Sequence, residues 1–188
     1  NRSQAVIMET FSAPKRRIEN PHYKGQREQS LRSLDLNAID VPMKEIIRSF
    51  AKLSYCFTLQ CCCGHFLYAG QENPHNLEPL PVSDKVTTVK YKIAYVAVCI
   101  ENSRVGSDLL ERLGKLPALD PGYIQFGCAE WFWKRQVNSY VLQVEPQRFK
   151  QKDTCLVAYA EALHLEKVKQ SFFIQLKKLI QDACSAGT

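Results

Sequence analysis

No run of about 18 apolar residues, the length a membrane-crossing helix needs, occurs in this 188-residue chain. The first thirty residues also lack a charged start followed by an apolar stretch, so no secretory signal is expected and the chain reads as cytoplasmic. Internal repeats and a second apolar core are missing, which points to one domain. With 45% apolar and 23% charged residues the composition is that of an ordinary globular protein. Wholesale disorder, collagen-like repeats and coiled-coil rods are thereby excluded.

Cysteine, in contrast, is plentiful, with residues at 56, 61, 62, 63, 99, 128, 155 and 184. Three are adjacent and the others lie in apolar segments, a pattern of buried reduced thiols more than of a disulfide scaffold. The net charge of +6 is unevenly spread: residues 1–34 carry +4, 53–133 carry −2 and 134–178 carry +5. Basic ends around a slightly acidic middle suit a polyanionic partner such as RNA, or simply solvate a tail and a helix face.

Residues 1–38 read as a basic N-terminal extension that wraps the domain or is partly disordered, with few apolar residues at regular spacing. From Asp40 the pattern sharpens. Asp40 is placed as a helix N-cap with Pro42 in the first turn, and Met43, Ile46, Ile47 and Phe50 recur at helical spacing. Tyr55, Phe57 and Leu59 then alternate with polar neighbours as a strand that ends at Cys61-Cys62-Cys63-Gly64-His65. A Gly/Pro/Asn-rich loop at 70–84 precedes the strongest strand signal, Val86–Ile100, whose apolar second half reads as buried on both faces.

Ser107 is placed to cap a helix carrying Leu109, Leu110 and Leu113. Tyr123–Trp133 and Val137–Val144 read as strands. Leu165, Val168, Phe172, Leu176 and Leu179 mark a long final amphipathic helix, with a shorter helix at 153–163 before it. This order predicts an α/β (α+β) fold: residues 39–188 as a single domain with a mixed sheet covered by helices and a long C-terminal helix.

Three segments are candidates for chemistry. In Gln60–His65, unbroken strand alternation puts Cys61, Cys63 and His65 on one side. Two thiolates and an imidazole, with His75 as a fourth ligand, are a conceivable metal set, but the spacing differs from that of structural zinc sites and no metal is expected. A thiol beside an imidazole is alternatively a nucleophile, or small cysteines pack while Gly64 and His65 meet a ligand. In Glu101–Ser107, Ser103, Arg104 and Gly106 stand where a strand-to-helix loop binds anions, unless Ser107 is only a cap. In Trp131-Phe132-Trp133-Lys134-Arg135, aromatic residues beside cations suit single-stranded nucleic acid, or pack as core.

The segment Thr58–His65, followed by Tyr95–Cys128, resembles the wybutosine-synthesis methyltransferase family that acts on tRNA, over residues 39–133. Cys62 and Gly64 carry the match, with His65 where that family has arginine and cysteines where it has serines. The resemblance implies methyl transfer from S-adenosylmethionine to an RNA base, with the motif lining the site. The resulting expectation is an RNA-associated, tRNA-modifying enzyme with Cys62 and His65 catalytic. Gly64, Glu101, Ser103 and Arg104 would hold the cofactor in the same pocket. His65 is the acid/base group because imidazole titrates near neutrality. The alternative is a non-catalytic module that binds a small ligand or a partner, with a homodimer formed through Phe172 and Leu176 of the C-terminal helix.

Overall fold

The longest apolar stretch of the chain makes its central strand. Thr88–Ile100 (β3) pairs along one edge with Cys56–Leu67 (β2). Along its other edge two strands follow end to end, Ser139–Val144 (β5) against its second half and Thr154–Ala158 (β6) against its first. Ile124–Ala129 (β4) pairs with β5, and Phe11–Ser12 (β1) with β4, so the sheet has six strands in the order β1-β4-β5-β3-β2 with β6 off that path. The computed structural model describes residues 11–71, 79–149 and 153–186, and every pairing among them is antiparallel.

Helices Lys44–Lys52 (α2), Arg104–Leu113 (α3) and Tyr159–Ala186 (α5) cover the inner face. Ile46, Ile47 and Phe50 of α2, Leu109 and Leu113 of α3, and Leu165, Phe172 and Leu176 of α5 share one buried cluster with Val96, Val98 and Ile100 of β3. This is the expected α/β (α+β) single domain with its long C-terminal helix, but the sheet expected to be mixed is antiparallel among the described residues. No helix among the described residues is long and apolar enough to cross a membrane. None of the eight cysteines is in a disulfide.

Among the described residues the outer face is covered at one end only. Tyr23–Arg32 (α1) lies on β2, with Tyr23 packed on Phe57 and the Ser30 hydroxyl donating to the Thr58 carbonyl. Arg27 donates to the carbonyls of Ala51 and Leu53, answering the orphan acceptors at the end of α2. The N-terminal extension from residue 11 is thus part of the packed structure, while residues 1–10 lie outside the described chain.

Several local expectations are corrected. The strand expected over 123–133 stops at Ala129, and Glu130–Arg135 (α4) is helical. Its i,i+4 geometry stacks the Arg135 guanidinium 3.8 Å over Trp131. The helix expected at 153–163 begins only at Tyr159. Before it Cys155 and Val157 point inward and Thr154, Leu156 and Ala158 outward, a period of two that makes β6 a strand. Ser103, not Ser107, caps α3, its hydroxyl accepting from the Gly106 N–H at 3.2 Å.

The cysteine-rich stretch is also no strand end, because β2 runs on to Leu67. A slip of facing lets it do so. In β3 the inward residues are Val89, Tyr91 and Ile93, then Ala94, Val96 and Val98, so the alternation shifts by one between Ile93 and Ala94. Across the ladder β2 shifts at the same register: Cys61 and Cys63 face inward, then Phe66, with Gly64 between them at φ 78°. A Cβ on Gly64 would sit 2.9 Å from that of Ala94, so glycine is required both for its left-handed backbone and for this contact.

The Tyr91 hydroxyl completes the junction where β5 gives way to β6. It accepts from the Ala94 N–H at 3.0 Å and donates to the Val144 carbonyl at 2.8 Å, replacing a ladder bond that the slip removes. Tyr91→Phe strands both groups in a site with no solvent access. A buried unpaired polar group costs about 1–3 kcal/mol, so the expected loss in urea unfolding is roughly 2 kcal/mol or more. A loss below about 0.5 kcal/mol would mean that the hydroxyl does not hold the junction.

Candidate functional site at the Gly64 corner

The slip at Gly64 decides which side chains meet. Asp40 occupies the N-cap position of a 3-10 turn, Val41–Met43, and its carbonyl accepts from the Met43 N–H at 2.9 Å. Its carboxylate does not cap that turn. Instead Oδ2 accepts from the Cys63 N–H at 3.1 Å, which points away from the sheet because β2 is an edge strand. His65 Nε2 stands 3.6 Å from the same Oδ2. The ligating atoms of Asp40, Cys62 and His65 all lie within 4.8 Å of one another.

From the other side of the strand Lys169 of α5 donates to the Gly64 carbonyl at 2.9 Å, its Nζ 4.6 Å above the Phe66 ring. That ring stacks on Tyr91 at 5.1 Å. Burial pushes the Lys169 ammonium down from its ordinary value, against the attraction of Cys63, Glu166, Cys62 and Asp40. Burial pushes the Cys62 thiol up, countered by the Gly64 N–H and by Lys92. Cys61 is pushed up to about 11, and Cys63 is also raised, by burial and then by its hydrogen bond to Asp40. The cysteine run therefore holds protonated thiols near neutrality, whereas nucleophilic attack needs a thiolate.

Strand alternation alone groups His65 with Cys61 and Cys63. The change of facing at Gly64 groups it with Cys62, while Cys61 and Cys63 turn toward the inner core. His75 lies outside the described residues. The other expected half of the pocket is elsewhere. Lys92 pairs with His65, and Glu101 comes nine positions later along the chain, just past the end of β3 and opposite Tyr55. At about 3.3 Å per residue the two are roughly 30 Å apart. Gly64, Glu101, Ser103 and Arg104 therefore do not form one cofactor site.

The Glu101–Ser107 loop is filled from within. Arg17 donates to the carbonyls of Glu101 at 2.8 Å and Ser103 at 2.9 Å, and to the Ser107 hydroxyl. A Cβ on Gly106 would lie 2.2 Å from the Glu101 carbonyl and 3.0 Å from Arg17, so the glycine is set by this packing. Arg104 is exposed. In α4, Phe132 packs beside Tyr95 and Trp133 beside Tyr140, with Trp131 left 46% exposed. Phe172 and Leu176 are fully buried against the chain's own sheet, which leaves them no dimer face.

Sequence alone does not mark Asp40 and Lys169 as site residues. Asp40 shows only as a cap, and Lys169 only as one cation among several on α5. The available signal is the glycine: a Gly inside an otherwise regular strand marks a bulge or a close approach.

No protein-family model matches the chain, and no curated protein matches it. Among solved structures, the PH1069 protein from Pyrococcus horikoshii is similar at 12% identity and a TM-score of 0.46, over 87% of this chain and 93% of that one. A second structure of PH1069, from Pyrococcus horikoshii OT3, gives 10% identity and a TM-score of 0.44 over 88% and 93%. A hypothetical protein from Aeropyrum pernix gives 14% and 0.43 over 78% and 98%.

The buried thiols set a pH dependence. Cys56, Cys61, Cys62, Cys63, Cys99 and Cys128 are all raised, chiefly by burial, Cys99 to about 12. A group raised by folding contributes its stability in full below its unfolded pKa and loses it as pH climbs through the folded value. Lys169, which is depressed, works in the opposite sense, one group against six thiols. Stability to urea is thus expected to hold to about pH 8 and to fall steadily above about pH 9, where unfolded cysteine ionises. A stability that is flat or rising up to about pH 10.5 would contradict this balance.

Proposed function

We propose that this chain is an RNA-modifying enzyme that engages its substrate through the open outer face of β2, β3 and β6 and works at the Gly64 corner. The observation that carries the reading is the make-up of that face. Its outward strand positions are His65 and Leu67 on β2, Thr88, Lys90 and Lys92 on β3, and Thr154, Leu156 and Ala158 on β6. They include two exposed lysines and no carboxylate, and they lead directly to His65. A basic surface of this kind neutralises backbone phosphates while leaving a reactive group within reach of a base.

The N-terminal cations contribute less to such a surface than their number suggests. Lys15 pairs with Glu130 at 2.8 Å, and Arg17 and Arg27 are spent on backbone carbonyls. At the corner, His65, with Nε2 3.6 Å from the Asp40 carboxylate, is the acid/base group of this reading. Methyl transfer from S-adenosylmethionine to a tRNA base is the reaction class that the sequence resemblance implies. The residues assigned to that cofactor do not converge on one pocket.

Fluorescence anisotropy with labelled tRNA over a salt series tests the binding. Affinity should fall steeply with salt, and Lys90→Glu with Lys92→Glu should weaken it and reduce the log–log slope by about 0.7 for each phosphate that is no longer neutralised. A salt-independent affinity, or one unchanged by both substitutions, would overturn the binding face. Transfer of a labelled methyl group to tRNA tests the enzyme. His65→Ala should abolish transfer while lowering RNA affinity far less than the two lysine substitutions do, and RNA binding by the wild type with no transfer would overturn the catalytic half.

A further inference from the structure

Asp40, Cys62 and His65 present one carboxylate oxygen, one sulfur and one imidazole nitrogen to a common point from two separate segments of the chain. In a tetrahedral zinc site, with metal–ligand distances of about 2.0–2.3 Å, neighbouring ligand atoms are roughly 3.3–3.8 Å apart. The Asp40–His65 separation of 3.6 Å already has that value, and the widest separation in the trio is within 4.8 Å. The chelate is built into the fold: the Cys63 N–H fixes Asp40, and the slip at Gly64 turns Cys62 and His65 to the same side. A mixed sulfur, nitrogen and oxygen set selects a borderline cation of the zinc class over magnesium or calcium.

We propose that Asp40, Cys62 and His65 are the three protein ligands of a single zinc-class divalent cation, with a fourth position left for solvent or substrate. Three protein ligands and one open position are the arrangement of catalytic zinc, not structural zinc. Binding exchanges the Cys62 thiol proton for the metal and releases it to buffer, with no change of oxidation state. The site does not depend on the RNA reading, because neither Lys90 nor Lys92 takes part. It does constrain His65: a cation on Nε2 occupies the lone pair that otherwise takes a proton, and proton transfer then falls to the metal-bound water.

Cobalt(II) titrated into metal-stripped protein under a thiol-free reductant is the direct test. One equivalent should give a thiolate-to-cobalt band in the near ultraviolet and tetrahedral bands in the visible, and zinc should bleach both. Cys62→Ser should abolish the near-ultraviolet band, and His65→Gln and Asp40→Asn should each weaken cobalt binding by at least about tenfold, the smallest loss expected even for supporting residues. Cys61→Ser and Cys63→Ser should leave the spectrum unchanged. No band at millimolar cobalt, or a band kept in Cys62→Ser and lost in Cys61→Ser or Cys63→Ser, would overturn the proposal. Circular dichroism confirms the fold of each variant. Should Cys62→Ser unfold, the partly exposed His65→Gln decides, and unchanged cobalt affinity there overturns the site. Failure here leaves tRNA binding untouched, so the two readings are separable.

Discussion

A strand that must present both of its alternating sets to the same helical layer cannot stay regular, and β3 meets this demand at one peptide. Its first half faces α5 with odd-numbered residues and its second half with even-numbered ones. The change is possible because β2 makes the same change across the ladder, through a residue without a side chain. It is also possible because Tyr91 inserts its hydroxyl where the backbone ladder is interrupted. The hand-over from β5 to β6, the grouping of Cys62 with His65 and the anchoring of Lys169 on the Gly64 carbonyl all follow from that single slip. A regular pleat would have given a different set of neighbours from the same residues.

The opposite end of β3 solves a different problem with charge. The start of α3 folds back so tightly on Glu101 that only glycine fits at 106, and the carbonyls crowded there need donors. Arg17 supplies them with one planar guanidinium reaching three acceptors. Asn138, at φ 61°, exchanges side-chain amide bonds with the backbone of Ile18, tying the same N-terminal segment to the start of β5. A stretch that looks like a solvated basic tail in sequence is therefore a surface segment docked by hydrogen bonds onto the start of α3 and the start of β5.

The parts legible in sequence are those set by local periodicity. The apolar run of β3, the helical spacing of Met43 to Phe50 and the stripe from Leu165 to Leu176 each bury what their spacing says they bury, with Leu179 only partly covered. Two kinds of feature are not legible. One is an element whose type is settled by a distant partner: β6 is a strand because β3 has an unpaired half-edge, and α4 is helical although Trp131 to Trp133 suits either state. The other is a change of phase. The change of facing at Gly64 swaps Cys61 and Cys63 for Cys62 as the neighbour of His65, and alternation counted through the glycine gives the wrong set. Arg17 and Asp40 belong to the same class, since each finds its partner far along the chain.

The Asp40 carboxylate on the outermost strand has a further effect. An edge strand offers a row of unsatisfied N–H groups to which another polypeptide can add itself, the first step of strand-to-strand aggregation. At Cys63 that donor is already engaged by a negative charge, and an incoming carbonyl would have to displace it. The left-handed kink one residue later breaks the straight template such an addition requires. Among the described residues, the corner that gathers the reactive side chains is thus also where this sheet refuses to grow.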